Sequence, residues 1–222
     1  MYNFIKDLIA PKKCYSCNKE HFLCPLCMSK MSNFESLCYV CKGRIDNYNV
    51  HNKCLEEVYY DKIIILSHYK NNIVSKLIKD FKFYNKKDII DFNYLSELFL
   101  ENEIYKNTSN YVLIFPPMFF KKIKKYNHSE ILAKQVSKKT NTKIEQSLIK
   151  KIKTTRQQSK LSRQDRLVNL HNSFKINKNK LDNIDKKTFI IVDDVISTST
   201  INELSKILKE SAKKVILIVA SD

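Results

Sequence analysis

The chain has 222 residues, a formal net charge of +17 and 43% hydrophobic residues, enough for one full domain with its own core plus a smaller unit. No apolar run reaches the roughly 18 residues of a membrane span, and the opening MYNFIKDLIAPKK lacks the apolar stretch of a secretion signal, so the expectation is a cytoplasmic protein with no membrane insertion. The charge is concentrated: residues 121–180 hold 18 Lys/Arg against three acids, Glu130, Glu145 and Asp165, which predicts a basic surface for a polyanionic partner rather than an even coding bias.

All seven cysteines fall between residues 14 and 54, in four knuckles of x2 spacing: Cys14/Cys17, Cys24/Cys27, Cys38/Cys41 and His51/Cys54. Two residues between ligands let both side chains converge on one ion from a tight turn. With His51 the set supplies the ligands of two tetrahedral zinc sites, closed and therefore structural. A reducing compartment argues against disulfides. Sequential pairing closes shorter loops than interleaved pairing and is mildly favoured by chain entropy, but both stay open. A stretch this poor in large aliphatics relies on metal to fold, so residues 1–58 are expected to form a zinc-ribbon domain and 59–222 a second domain.

From about residue 59 apolar runs alternate with helical patterns. IIILSHY (63–69) reads as a strand, and NNIVSKLIKDFKFY (71–84) as a helix with Ile73, Leu77, Ile78 and Phe81 on one face. YLSELFLENEIY (94–105) is a second amphipathic stretch. YVLIF (111–115) is a buried strand stopped by Pro116 and Pro117, and HSEILAKQVSKK (128–139) a helix with Ser129 as its cap. KTTRQQSKLSRQDR (153–166) is basic with little periodicity, a flap over a cleft or a plain surface loop. TFIIVDD (188–194), INELSKILKESA (201–212) and KVILIVA (214–220) read as strand, helix, strand. Apolar strands alternating with helices mean an α/β fold with a parallel sheet covered on both faces.

Ligands of such sheets bind beyond the carboxyl ends of the strands, where Asp193 and Asp194 lie. Thr200 and Glu203 have the spacing of a capping box for the next helix. The loop Val195, Ile196, Ser197, Thr198, Ser199 and Thr200 would then offer N–H groups and hydroxyls to an anion. Carboxylates repel phosphate but accept hydrogen bonds from sugar hydroxyls or hold magnesium, so the combination describes a sugar-phosphate site. The alternative is an acid pair that only caps the strand end. The single glycine, Gly43, is few for a phosphate-cradling chain. PPMFFKKIKKYNH (116–128) interleaves Phe119, Phe120 and Tyr126 with Lys121, Lys122, Lys124 and Lys125, either a stacking platform for single-stranded nucleic acid or rings packed beneath solvated lysines.

Taken together these motifs resemble the ComF proteins, bacterial competence proteins related to type I phosphoribosyltransferases. D193-D194-V195-I196-S197-T198-S199-T200-I201 is similar to the family loop. T155-x2-Q158-x2-L161-x4-R166-x2-N169-x4-F174, K124-K125-Y126-N127-H128 with Leu132-Ala133, and the helix ending at Lys82-Phe83 follow in the family's order, behind an N-terminal double zinc ribbon. The resemblance covers nearly the whole chain. It implies a type I phosphoribosyltransferase-like parallel sheet flanked by helices, and a site for phosphoribosyl pyrophosphate (PRPP). Asp193 and Asp194 would face the ribose hydroxyls, residues 195–200 the 5′-phosphate and Lys124 the pyrophosphate, with Mg2+ bridging the ligand. It also implies a role in the uptake of transforming DNA, here the handling of incoming single-stranded DNA; DNA-uptake or helicase proteins are the partners that the zinc ribbons would dock. Ser199 and Lys125 replace family glycines and Ile201 a threonine, so the PRPP loop is degenerate. A Cβ at Ser199 disfavours a positive φ or crowds the phosphate, and the loss of a hydroxyl at Ile201 removes a possible hydrogen bond. No general base is evident; His128 is a candidate by position alone. Two other functions are compatible with the sequence: an active phosphoribosyltransferase in nucleotide salvage, and a non-catalytic zinc-ribbon scaffold.

Overall fold

The fold is that of a computed structural model, which describes residues 13–14, 16–18, 24–30, 38–46, 48–65, 67–84, 110–118, 127–155, 161–180, 182–196 and 198–221. The described strands are β1 (Lys62–Ile65), β2 (Tyr111–Ile114), β3 (Lys143–Ile144), β4 (Ile149–Lys151), β5 (Phe174–Ile176), β6 (Thr188–Val195) and β7 (Lys214–Ser221). The described α-helices are α1 (Pro25–Ser29), α2 (Asn72–Tyr84), α3 (His128–Thr140), α4 (Arg163–Leu170) and α5 (Thr198–Lys209). Five strands form one parallel sheet in the order β1-β7-β6-β2-β3, and β4 and β5 pair as a separate antiparallel ribbon. The expected α/β architecture is thus present.

The core follows from the strand sequences. β6 and β7 are apolar on both faces because each face carries a layer. Phe189 and Ile191 of β6 pack with Val215, Leu217 and Val219 of β7 under Ile201, Leu204 and Leu208 of α5. Ile190 and Val192, with Ile216 and Ile218, pack on the other side against Leu132, Ala133 and Val136 of α3. Each of these buried apolar side chains contributes about 1.5–3 kcal/mol, which holds β6 firmly beneath the acidic turn.

The α5 layer also contains Cys38, Ile45, Val50, Cys54, Val58 and Tyr60. The second cysteine group therefore shares the sheet's core. Backbone pairing continues the connection: Ile63 N–H donates to Tyr48 O at 3.0 Å, and Asp61 N–H to Val215 O at 2.8 Å. The first cysteine group forms its own small cluster, whose contact is Ile73 of α2.

Several boundaries differ from the sequence expectations. The first strand stops at Ile65 rather than running through residue 69. Part of the basic stretch 153–166 is helical: Ser162 Oγ accepts from Asp165 N–H at 3.1 Å and donates to its carboxylate, starting α4 with a local cap that the lack of apolar periodicity concealed. The amphipathic stretch 94–105 lies outside the described residues.

Candidate functional site

The sheet order creates a switch point between β2 and β6. From β2 the chain crosses by α3 to β3 on one side; from β6 it crosses by α5 to β7 on the other, with the two helices on opposite faces. A crevice opens at the carboxyl end of such a pair. Both crossover helices begin there, so two helix N-termini, the positive ends of their dipoles, flank it.

Asp193 and Asp194 sit at this end of β6 and are 7% and 8% exposed. Asp193 Oδ1 accepts from Ser129 Oγ at 2.6 Å and from Asp194 N–H at 2.9 Å, and Asp194 Oδ1 accepts from Val195 N–H at 2.7 Å. These bonds fix the carboxylates' orientation.

Ser129 was expected to cap α3. Asn127 does so instead: its backbone is extended (φ −94, ψ 113), and its side-chain oxygen accepts from Glu130 N–H at 3.4 Å. Its amide nitrogen donates to Pro116 O at 2.9 Å, tying the end of β2 to the start of α3. Ser129, already inside the first turn, is left to reach Asp193. The capping box Thr200/Glu203 is likewise overturned, because α5 starts at Thr198. Glu203 is taken by the turn after α4. It accepts from Asn172 N–H at 3.0 Å, where Asn172 has φ 52 and its N–H points out of that turn.

Val195 ends β6, Ile196 is half-buried, and Ser199 and Thr200 are buried in the first turn of α5. Ser199 lies in helix and is not a positive-φ position, so the family glycine's conformational freedom is not needed there. Ile201 is buried in the core on α5, where a threonine hydroxyl would be directed among aliphatics. Thr198 opens the helix, and Ser197 lies outside the described residues. Phe119, Phe120, Lys121, Lys122, Lys124, Lys125 and Tyr126 also lie outside them. His128 is the first residue of α3.

The cysteines gather in sequential groups. The ligand atoms of Cys14, Cys17, Cys24 and Cys27 lie within 4.8 Å of one another, and so do those of Cys38, Cys41, His51 and Cys54. Sulfurs bound about 2.3 Å from one zinc would be roughly 3.8 Å apart. Cys17 Sγ and Cys24 Sγ are 3.6 Å apart, and Cys41 Sγ and His51 Nδ1 3.2 Å. His51 Nε2 is 2.7 Å from Arg44 O. A carbonyl only accepts, so Nε2 carries the proton and the lone pair on Nδ1 faces the cluster, the tautomer a metal ligand needs. Burial pushes the Cys14 thiol up, but N–H groups of Cys24, Cys17 and Ser16 outweigh it and bring it to about 6. Cys27 accepts from Ser16 yet is pushed up to about 12 by burial and by the other three sulfurs. Burial and the neighbouring thiols Cys41 and Cys38 push Cys54 up to about 11. Thiolates this crowded repel one another unless a divalent cation sits between them, so both donor sets fit a metal ion.

Gly43 belongs to the second group. A Cβ built there would stand 3.3 Å from His51 Cε1 and 3.5 Å from Cys41 Sγ. Its carbonyl accepts from Cys38 N–H at 2.8 Å, closing the knuckle in which Lys42 takes φ 60. The chain's one glycine thus leaves room for two of the clustered donor side chains.

No protein-family model matches the chain. Competence protein F of Haemophilus influenzae (strain ATCC 51907 / DSM 11121 / KW20 / Rd) is 33% identical to it over 197 residues, covering 85% of this chain and 84% of that protein. On these grounds the chain belongs to the competence protein F (ComF) family.

Proposed function

We propose that the protein is a competence factor that handles incoming single-stranded DNA in the cytoplasm, with a site for a PRPP-type sugar phosphate in the crevice between β2 and β6. The family relation supports the competence role. The observation that carries the site is the pair of buried carboxylates at the end of β6, one of them bonded across to Ser129 at the start of the opposite helix. Such a pair rejects phosphate and accepts from vicinal hydroxyls, while the N–H groups opening α5 attract an anion.

In this reading Asp193 and Asp194 orient the ribose, and residues 195–200 receive the 5′-phosphate. Lys124 faces the pyrophosphate. A magnesium ion carried in with the ligand neutralises pyrophosphate charge. The two cysteine groups hold Zn2+, which keeps residues 14–54 folded and takes no part in chemistry at the crevice. Lysines and aromatic rings of 119–126 contact DNA. DNA-uptake or helicase proteins are the expected protein partners.

The test is genetic. In a competent cell carrying Asp193→Asn/Asp194→Asn in place of the wild-type chain, transformation frequency should fall sharply at unchanged protein level. Wild-type transformation by that strain would contradict a role for the site, and wild-type transformation by a strain lacking the chain would contradict the competence role.

A further inference from the structure

The β4–β5 ribbon breaks a local rule. Its register pairs Ile149 with Ile176, Lys150 with Lys175 and Lys151 with Phe174. Residues paired across strands point to the same side. Ile149 and Phe174 are buried against the core, so Lys150 and Lys175 project together from the outer face, and both are exposed. Like charges directly opposite one another on neighbouring strands destabilise the pair. Among the described residues no carboxylate pairs with either lysine. The ribbon is nonetheless firmly seated: on its inner side Lys151 Nζ reaches Thr155 Oγ1 at 2.5 Å and stands 5.8 Å from the Phe174 ring centre. Ile152, 49% exposed, continues the outer alternation beside Lys150.

Local rules broken without an internal compensation tend to mark functional sites, so a repulsive pair on a ribbon seated by buried Ile149 and Phe174 points to an anionic partner. The ribbon starts a few residues after β3 leaves the carboxyl edge of the sheet, and it lies in the segment, 121–180, that holds 18 of the chain's basic residues. We infer that the outer face of the β4–β5 ribbon contacts the phosphates of single-stranded nucleic acid, with Lys150 and Lys175 neutralising successive phosphates and Ile152 giving an apolar footing beside them. The inference rests on the single-stranded DNA reading above and adds residues to those of 119–126.

Titration of a short fluorescent oligothymidylate over a series of salt concentrations tests it, on the full metal-loaded chain. Each phosphate contact to a single strand contributes about 0.7 to the slope of log K against log salt. Lys150→Gln/Lys175→Gln should shallow the slope by about 1.4. Its melting temperature should be no lower than wild type, because the repulsion is gone. Lys150→Arg/Lys175→Arg should restore the wild-type slope. Lys186→Gln/Lys213→Gln, which removes the same charge beside the amino ends of β6 and β7, should leave the slope unchanged. If wild type binds and the ribbon variant keeps its slope, or if both glutamine pairs lose slope equally, the ribbon is not the contact and the DNA reading stands. If wild type itself does not bind, the DNA reading fails and the ribbon inference with it.

Discussion

Ser129 Oγ lies 2.6 Å from Asp193 Oδ1, joining the start of α3 to the end of β6 across 64 residues of sequence. The bond closes the switch point: it ties the two crossovers at the edge where they diverge. Replacing Ser129 with alanine removes a donor from a buried carboxylate, which costs about 1–3 kcal/mol. Urea unfolding of Ser129→Ala should show that loss, and Ser129→Thr, which keeps the hydroxyl, should recover part of it. An unchanged midpoint for the alanine variant would mean that the bond contributes nothing.

Cys38 and Cys54 are buried in the same cluster as Phe189 and Leu217, whereas Cys14, Cys24 and Cys27 touch Ile73 of α2. If the second group holds a metal, as proposed, its loss should open the main core. Cys54→Ser should destabilise the chain by about 4–5 kcal/mol or prevent folding, and Cys24→Ser by about 1–3 kcal/mol. Bound zinc, measured by mass spectrometry of the intact protein, should fall from two ions to one in the Cys24→Ser variant. Equal destabilisation by the two substitutions would contradict the unequal placement of the sites.

Gly43 has no positive φ; its constraint is space. An added methyl at 3.3 Å from the His51 ring must displace it, and that ring is already fixed through Nε2 to Arg44 O. Gly43→Ala should weaken zinc at the second site about tenfold, the scale at which disturbed ligand support is felt. Competition with a chromophoric chelator measures this, and an unaltered second-site affinity would show that the knuckle yields freely.

Glu145 is partly buried, which raises its carboxyl, but hydrogen bonds from Ser147 and Lys143 outweigh burial and hold it below its ordinary value. A depressed folded-state value contributes stability above the unfolded value, about 4.3, and that contribution is lost as pH falls through the folded value. Glu145→Gln should be less stable than wild type near neutral pH, and the gap should close in acid. Denaturant midpoints across an acid pH series give the comparison; a gap that widens toward low pH would reverse the assigned sign.

The parts legible in the sequence were those written by local chemistry. β6 and β7 announce themselves as apolar runs because both faces are covered, and the cysteine groups announce themselves through x2 spacing. Asp193 and Asp194 stood out because carboxylates seldom end such a run. What stayed hidden was long-range or unconventional. The Ser129–Asp193 bond has no local signature, and a Ser at the second position of a helix looks like a cap when Asn127 beside it is overlooked. β3 is only two residues, and β4 and β5 are three each, too short for alternation to register.

Turns were obscured for a related reason. In a chain with one glycine, the left-handed positions among the described residues fall to other residues: Asn18, Asn141, Asn172 and Asn183, with Lys42 and Tyr48. Asparagine tolerates this region because its short polar side chain bonds locally. In a sequence so rich in asparagine, its presence at a turn carries little signal. Asn172 shows the consequence: its turned backbone N–H captures Glu203, the residue that spacing had assigned to a capping box.

The crevice at β2 and β6 either still takes a pentose phosphate or has lost that capacity. Calorimetric titration of the zinc-loaded chain with PRPP, with and without magnesium, asks this directly. The expected result is saturable binding that needs magnesium and weakens at least about tenfold, roughly 1.4 kcal/mol, in Asp193→Asn/Asp194→Asn. No heat from wild type at millimolar PRPP, or equal binding by the variant, would contradict it and leave the buried acids with a structural role alone.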